Sequence, residues 1–151
     1  MLNGFYEKTI ISDTSCLIAF DNIGRLDILK AICPIIITTP EVAAEYKFPL
    51  PEWIQVIPVK DTMKIKSLNT ILGIGEASAI ALAMETENPL VIIDEKKARR
   101  YAQNLGLDII GIIGLLRLGS KQGLISDLDS IITSLRRIGF RMPSNIEDML
   151  K

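Results

Sequence analysis

The sequence predicts an α/β protein, a mostly parallel sheet with helices on both faces, and three features carry that prediction. Short β-rich runs at Thr9–Ile11, Ile35–Thr38 and Leu90–Ile93 alternate with segments of helical spacing along the chain. Leu90-Val91-Ile92-Ile93 is apolar at every position, as in a parallel strand covered on both faces. The chain has 151 residues, 48% of them hydrophobic, enough to fill the core of one domain spanning 1–151.

Each element follows in order. Thr9-Ile10-Ile11 is a strand that ends at Asp13 and passes into the helical segment Cys16–Phe20. Leu26, Ile28, Leu29 and Ile32 form the apolar face of a helix, which Cys33-Pro34 breaks before the strand Ile35–Thr38. Pro40 suits the first position of a helix over Glu41 to about Lys47, and Pro49 and Pro51 then impose irregular chain. Trp53–Val59 alternates weakly, as a short edge strand does, and Asp61 or Thr62 caps a helix to about Leu72. Gly73 and Gly75 separate that helix from an alanine-rich one, Glu76–Glu85, which is apolar almost all round and is expected to be buried.

Leu90–Ile93 ends at Asp94, repeating the pattern at Asp13. A helix from Glu95 to about Leu105 stops at Gly106, Asp108–Ile110 is a short strand, and Ile112–Lys121 is helical. Ser126 is the expected cap of a helix to Ile138, with a last turn over Ser144–Leu150. No repeat, linker or low-complexity tract interrupts the series.

Composition excludes several function classes. The apolar stretch Ile109–Leu116 is far shorter than the roughly 20 residues that span a bilayer, so no membrane role is expected. Polar residues within Met1–Asp13 do not read as an export signal, which leaves the cytoplasm as the expected compartment. Cys16 and Cys33 lack metal-ligand spacing and read as small core residues. The chain has no histidine, which removes imidazole bases, Ser-His-Asp triads and histidine metal sites together. Hydrolysis here would run on carboxylates. A net charge of −1 provides no global field for nucleic acid. The mean hydropathy of +0.32 is high, so apolar surface is expected to be covered by self-association.

Ligands of open α/β sheets bind beyond the strands' carboxyl ends, and this draws attention to Asp13 and Asp94. Asp13, followed by Thr14 and Ser15, serves equally as an N-cap or a ligand. Asp94 closes the most apolar strand, where a carboxylate needs a hydrogen bond, a cap or a cation; capping the Glu95 helix is the plain alternative. Glu45 lies late in its helix, disfavoured by the helix dipole and by Glu41 one turn earlier, although a solvated glutamate there costs little. Glu76 opens the alanine-rich helix, where it also complements the dipole. Four carboxylates converging at one sheet edge would need a cation, and hard oxygen ligands select Mg2+ or Mn2+. Such ions activate water and stabilise a scissile phosphate without histidine.

The motifs Ile11-Ser12-Asp13-Thr14-Ser15, Pro40-Glu41-Val42-Ala43-Ala44-Glu45, Gly75-Glu76-Ala77-Ser78-Ala79-Ile80-Ala81-Leu82-Ala83 and Ile92-Ile93-Asp94-Glu95-Lys96-Lys97-Ala98-Arg99, with Gly111–Leu116, resemble the PIN domain family in order and spacing, nearly end to end. More narrowly they are similar to a prokaryotic branch related to the VapBC-type toxins. The resemblance implies a Rossmann-like sheet, Mg2+ or Mn2+ in an acidic pocket and endonucleolytic cleavage of single-stranded RNA. It further implies frequent homodimerisation and, for many members, an antitoxin partner. By motif, Asp13, Glu45, Glu76 and Asp94 are the acids that would bind metal and catalyse, with Thr14 or Ser15 orienting Asp13 or a water. Two departures, Glu76 for the usual aspartate and Ile92 for a frequent threonine or serine, leave open whether one metal or two are held.

Lys96, Lys97, Arg99 and Arg100 follow Asp94, with Arg117 and Lys121 on the later helix, and they are candidates for RNA phosphates, a solvated helix face being the alternative. Tyr46, Phe48 and Trp53 could stack on bases, but packing in the core or at an interface is the stronger expectation. A haloacid-dehalogenase-type phosphotransferase needs a second acid where Ser15 stands, and a receiver domain needs an acidic pair near the first strand. The remaining rival is a PIN-like module that binds nucleic acid or protein without cutting.

Overall fold

The computed structural model describes residues 2–150, so Met1 and Lys151 of the expected 1–151 span lie outside the described residues. A parallel sheet is built from β1 (Thr9–Ser12), β2 (Ile36–Thr38), β3 (Ile54–Val56), β4 (Pro89–Ile92) and β5 (Asp108–Ile110), in the order β3-β2-β1-β4-β5. Every pairing in it is parallel, which sharpens the expectation of a mostly parallel sheet. The chain builds outward from β1 to β2 and β3, then returns to place β4 on the other flank of β1. The order therefore reverses between β1 and β4, the switch point at which such sheets open a crevice.

The helices are α1 (Leu2–Phe5), α2 (Thr14–Asn22), α3 (Leu26–Ile32), α4 (Pro40–Tyr46), α5 (Thr62–Asn69), α6 (Ile74–Met84), α7 (Lys96–Asn104), α8 (Ile112–Lys121), α9 (Leu128–Arg137) and α10 (Ile146–Met149). The period-two alternation of the strands sorts side chains between two cores. Ile10, Leu90 and Ile92 face one, with Leu17 and Phe20 of α2, Leu29 and Ile32 of α3, Leu115 and Leu116 of α8, and Leu135 of α9. Ile11, Val91 and Ile93 face the other, with Ile65 and Leu68 of α5, Ala98 and Ala102 of α7, and most of α6. On α6, Ala77 to Ala83 are buried without a break, as its all-round apolar character predicts. Burying a large aliphatic side chain on either face contributes about 1.5–3 kcal/mol.

Several boundaries differ from the sequence reading for identifiable reasons. Ile35 is exposed and precedes β2 rather than opening it, and only Ile54–Val56 of the Trp53–Val59 stretch pairs, on the edge as expected. The expected Ser126 cap is corrected to Asp127, which makes no side-chain capping bond because its carboxylate instead takes Arg25 at 2.8 Å. Asp61 does cap its helix, accepting from Lys64 N. The buried helix starts at Ile74, two residues before Glu76, with Gly73 at its cap position. Lys47, at a left-handed φ of 70°, stops α4. Cys16 and Cys33 are both buried core residues; burial pushes the Cys33 thiol up to about 12 and raises that of Cys16, leaving both unreactive. Tyr46 is buried, Trp53 packs partly against the core, and Phe48 is exposed, set edge-on against Tyr46. No helix among the described residues is long and apolar enough to cross a membrane.

Candidate functional site

Ser12 of β1 pairs with Ile92 of β4, so Asp13 and Asp94 leave neighbouring strands at the switch point, tied by a backbone bond from Asp13 N to Ile92 O of 3.4 Å. Asp13 is buried, and its Oδ1 accepts from Cys16 N at 3.2 Å, so it does cap α2. Its Oδ2 is equally enclosed and has no hydrogen-bond partner. Burial pushes this carboxyl up to about 8, opposed by the Cys16 bond and reinforced by the charges of Asp94, Glu76 and Glu45. The other three predicted acids thus lie within electrostatic range of Asp13.

Two of them are set by a hydroxyl lattice. Thr14 Oγ1 donates to Glu45 Oε1 at 2.7 Å, linking the start of α2 to the end of α4. Val42 N donates to Thr39 Oγ1, which lies 2.6 Å from Ser78 Oγ, which in turn donates to Gly75 O at 2.9 Å. That chain joins the first turns of α4 and α6, the helices bearing Glu45 and Glu76. Thr38 Oγ1 also donates to Ser12 O at 2.7 Å, fixing the strand end before Asp13. Gly75 is required by the close approach: a Cβ there would overlap Glu45 Oε1 and lie 2.5 Å from Thr14 Oγ1. Thr14, Ser15, Ile18, Glu45, Gly73, Gly75 and Glu76 line a groove of about 300 Å3 over this lattice. Glu76 is half-buried, and burial raises its carboxyl, reinforced by the charges of Glu95 and, more weakly, Glu45 and opposed by a backbone bond at Gly73.

Asp94 is held differently. Capping of α7 falls to Glu95, whose side chain accepts from Ala98 N at 2.7 Å, so the plain alternative for Asp94, a cap of that helix, does not hold. Both Asp94 oxygens instead face Ile112 N, at 3.2 and 3.1 Å, at the start of α8, where Gly111 has no side chain with which to cap. Burial raises the Asp94 carboxyl, against the Ile112 bond and the nearby Arg99 charge. Arg99 NH1 donates to Ile93 O at 3.2 Å, so this cation is used within the fold rather than left for RNA. Lys96, Lys97 and Arg100 are exposed on the same helix, as are Arg117 and Lys121 on α8.

Sequence reasoning missed Thr39, Ser78 and Thr38 in the lattice, Glu95 as cap and fifth acid, and Arg99 as the partner of the Asp94 strand end. The Thr39-Pro40 pair carried a readable cap signal; Ser78 carried none. A cavity of about 740 Å3, lined by Phe5, Lys8, Leu90 and Asp108 among others, lies at the opposite, amino-terminal ends of β4 and β5, away from these acids.

The donors at the sheet edge are all carboxylate and hydroxyl oxygen, the chemistry of a hard divalent cation. Among the described residues, no group of three or more carboxylates and thiols is close enough to hold a metal ion as the side chains stand. The element of the site that fits a cation best is Asp13 Oδ2, a buried acceptor with no proton donor to satisfy it. A family model described as a PIN domain matches residues 9–150. No curated protein matches the chain.

Proposed function

The chain belongs to the PIN domain family, a nuclease-type fold, and from that footing we propose that it is a Mg2+- or Mn2+-dependent endoribonuclease acting on single-stranded RNA. The observation that carries the reading is the enclosed, unpartnered Oδ2 of Asp13 amid the charges of Asp94, Glu76 and Glu45. Four carboxylates repel an RNA phosphate, so substrate approach requires a cation between them. When bound, a divalent ion supplies an activated water and charge neutralisation at the scissile phosphate.

The chain's own residues set the geometry. Asp13 would hold the ion through Oδ2 while Oδ1 stays committed to Cys16 N, so the ligand is rigid. Glu45 lines the groove with its Oε1 occupied by Thr14; Thr14 is thereby the positioning hydroxyl, and Ser15, exposed at the groove, is the one left for a water or the substrate. Glu76 completes the groove wall, and Asp94 adds negative charge from the neighbouring strand end. Lys96, Lys97 and Arg100, exposed on α7, are the cations available for the phosphates of the RNA strand.

Action as a cytoplasmic toxin held by an antitoxin, and homodimerisation through exposed apolar side chains such as Phe48 and Met63, belong to the same proposal. The rival reading, a module that binds nucleic acid or protein without cutting, draws on the absence of a ready-made cage among the described acids. Incubation of the purified protein with single-stranded RNA separates the two. Cleavage with Mn2+ or Mg2+ that stops in excess EDTA is the expected result; cleavage that persists in EDTA, or none with either ion, overturns the proposal.

A further inference from the structure

The two strand-end aspartates differ in one respect that bears on how many cations the site takes. Asp13 has no cationic side chain among the influences on its carboxyl, only three further acids. Asp94 has Arg99, which stands one helical turn and a cap residue further along the chain. The guanidinium is tied to the strand end by its bond to Ile93 O, the carbonyl directly before Asp94. Arg99 NH1 and Asp94 Oδ1 each lie 2.7 Å from the point a Cβ on Gly111 would occupy, so both converge on the same space at the mouth of α8. Arginine keeps its charge at any working pH and is weakly hydrated, so it tolerates this half-buried position better than lysine.

We propose that Arg99 is a built-in counter-ion for Asp94, a positioning residue that occupies the place of a second metal and limits the site to one divalent ion held on the Asp13 side. The inference rests on the nuclease reading above and specifies its metal content. With Asp94 already bonded to the Ile112 N–H, and the Arg99 guanidinium aimed at the same space without closing an ion pair, a second divalent ion beside Asp94 would meet the repulsion of that fixed charge. Removing the charge of Arg99 frees Asp94 to take such an ion and strengthens the pull of the remaining acids on the first. Lys96, Lys97 and Arg100, exposed on the outer face of α7, are left for RNA.

The test is a Mn2+ titration of the full-length protein by equilibrium dialysis, with free Mn2+ counted by its paramagnetic resonance signal, so that no activity is required. Wild type is expected to bind one ion per chain and Asp13→Asn none. Arg99→Gln is expected to gain a second ion, or to bind the first roughly three- to tenfold tighter. Arg99→Lys, which keeps the charge, is expected to stay at one ion with wild-type affinity. Arg99→Met, which keeps the aliphatic stem, is the second neutral variant should the glutamine form fail to fold by circular dichroism. A second ion on wild type, or neutral variants with wild-type count and affinity, overturns the Arg99 inference while leaving a metal nuclease intact. A wild type that binds no Mn2+ overturns both.

Discussion

The ends of β1 and β4 look alike in sequence and behave differently in the fold. Each is an apolar strand closed by aspartate at the switch point of the sheet. Asp13 caps the helix that follows it and keeps one oxygen buried without a partner. Asp94 leaves that duty to Glu95, anchors the start of the more distant α8 and has the charge of Arg99 nearby. The difference teaches that a strand-end carboxylate is defined by which donors reach it: Asp13 is left with an unmet demand for positive charge, and Asp94 has most of its demand met within the chain.

The sharpest way to break the comparison is to neutralise each acid in turn. Asp13→Asn keeps the cap, since asparagine caps as well as aspartate, and is expected to lower RNA cleavage by about a thousandfold or more while the circular dichroism spectrum is unchanged. Asp94→Ala is expected to cost less activity, about ten- to a hundredfold, together with about 1 kcal/mol of stability from the uncapped α8. Equal losses in the two variants, measured as kcat/KM on one RNA, would erase the distinction.

Two glycines sharpen it without touching a charge. Gly75→Ala crowds Glu45 and Thr14 on the Asp13 side, whereas Gly111→Ala brings a methyl to 2.7 Å from Arg99 NH1 and Asp94 Oδ1 on the other. The first is expected to reduce cleavage by about tenfold or more, because misplacement of about 1 Å is costly in a positioned site, with little change in melting temperature. The second is expected to show the opposite balance, a lower melting temperature and a smaller loss of rate. A Gly75→Ala enzyme with wild-type rate would remove Glu45 from the site.

The smallest effect is on stability against pH. The Asp13 carboxyl lies at about 8 in the fold against 3.8 for the free group, so the folded state holds its proton more tightly than the unfolded state. Its contribution is fully present below about pH 4 and is lost as pH rises through about 8; Glu76 and Asp94, also raised, act in the same direction. The metal-free protein is therefore expected to melt several degrees lower at pH 8 than at pH 5, and Mn2+ to restore more of that loss at pH 8. Asp13→Asn should flatten the slope. A wild-type melting temperature that rises over this range would show that the carboxyl is not held protonated.

Much of this site was legible before any coordinates. The order of strands and helices, the burial of the alanine-rich α6 and the placing of Asp13 and Asp94 at strand ends follow from local periodicity, which needs only neighbours in sequence. Partners separated by many residues were not legible: Thr39 with Ser78, Thr14 with Glu45, and Asp94 with Ile112 are joined only when distant helices pack on the sheet. Boundary differences at Ile35 and Ser126 have the same origin, since the register of β2 against β3 and the pull of Arg25 on Asp127 are tertiary facts.

The sequence by itself determined that acids are the groups available for ligand and base chemistry, because a chain without histidine offers no imidazole, and it singled out the two aspartates that the fold sets at neighbouring strand ends. Only the tertiary structure decided how those acids divide. Whether a carboxylate is capped, paired or left wanting a cation depends on donors brought to it from other elements, and hydrogen-bond reach of about 3 Å is a property of packing rather than of residue order.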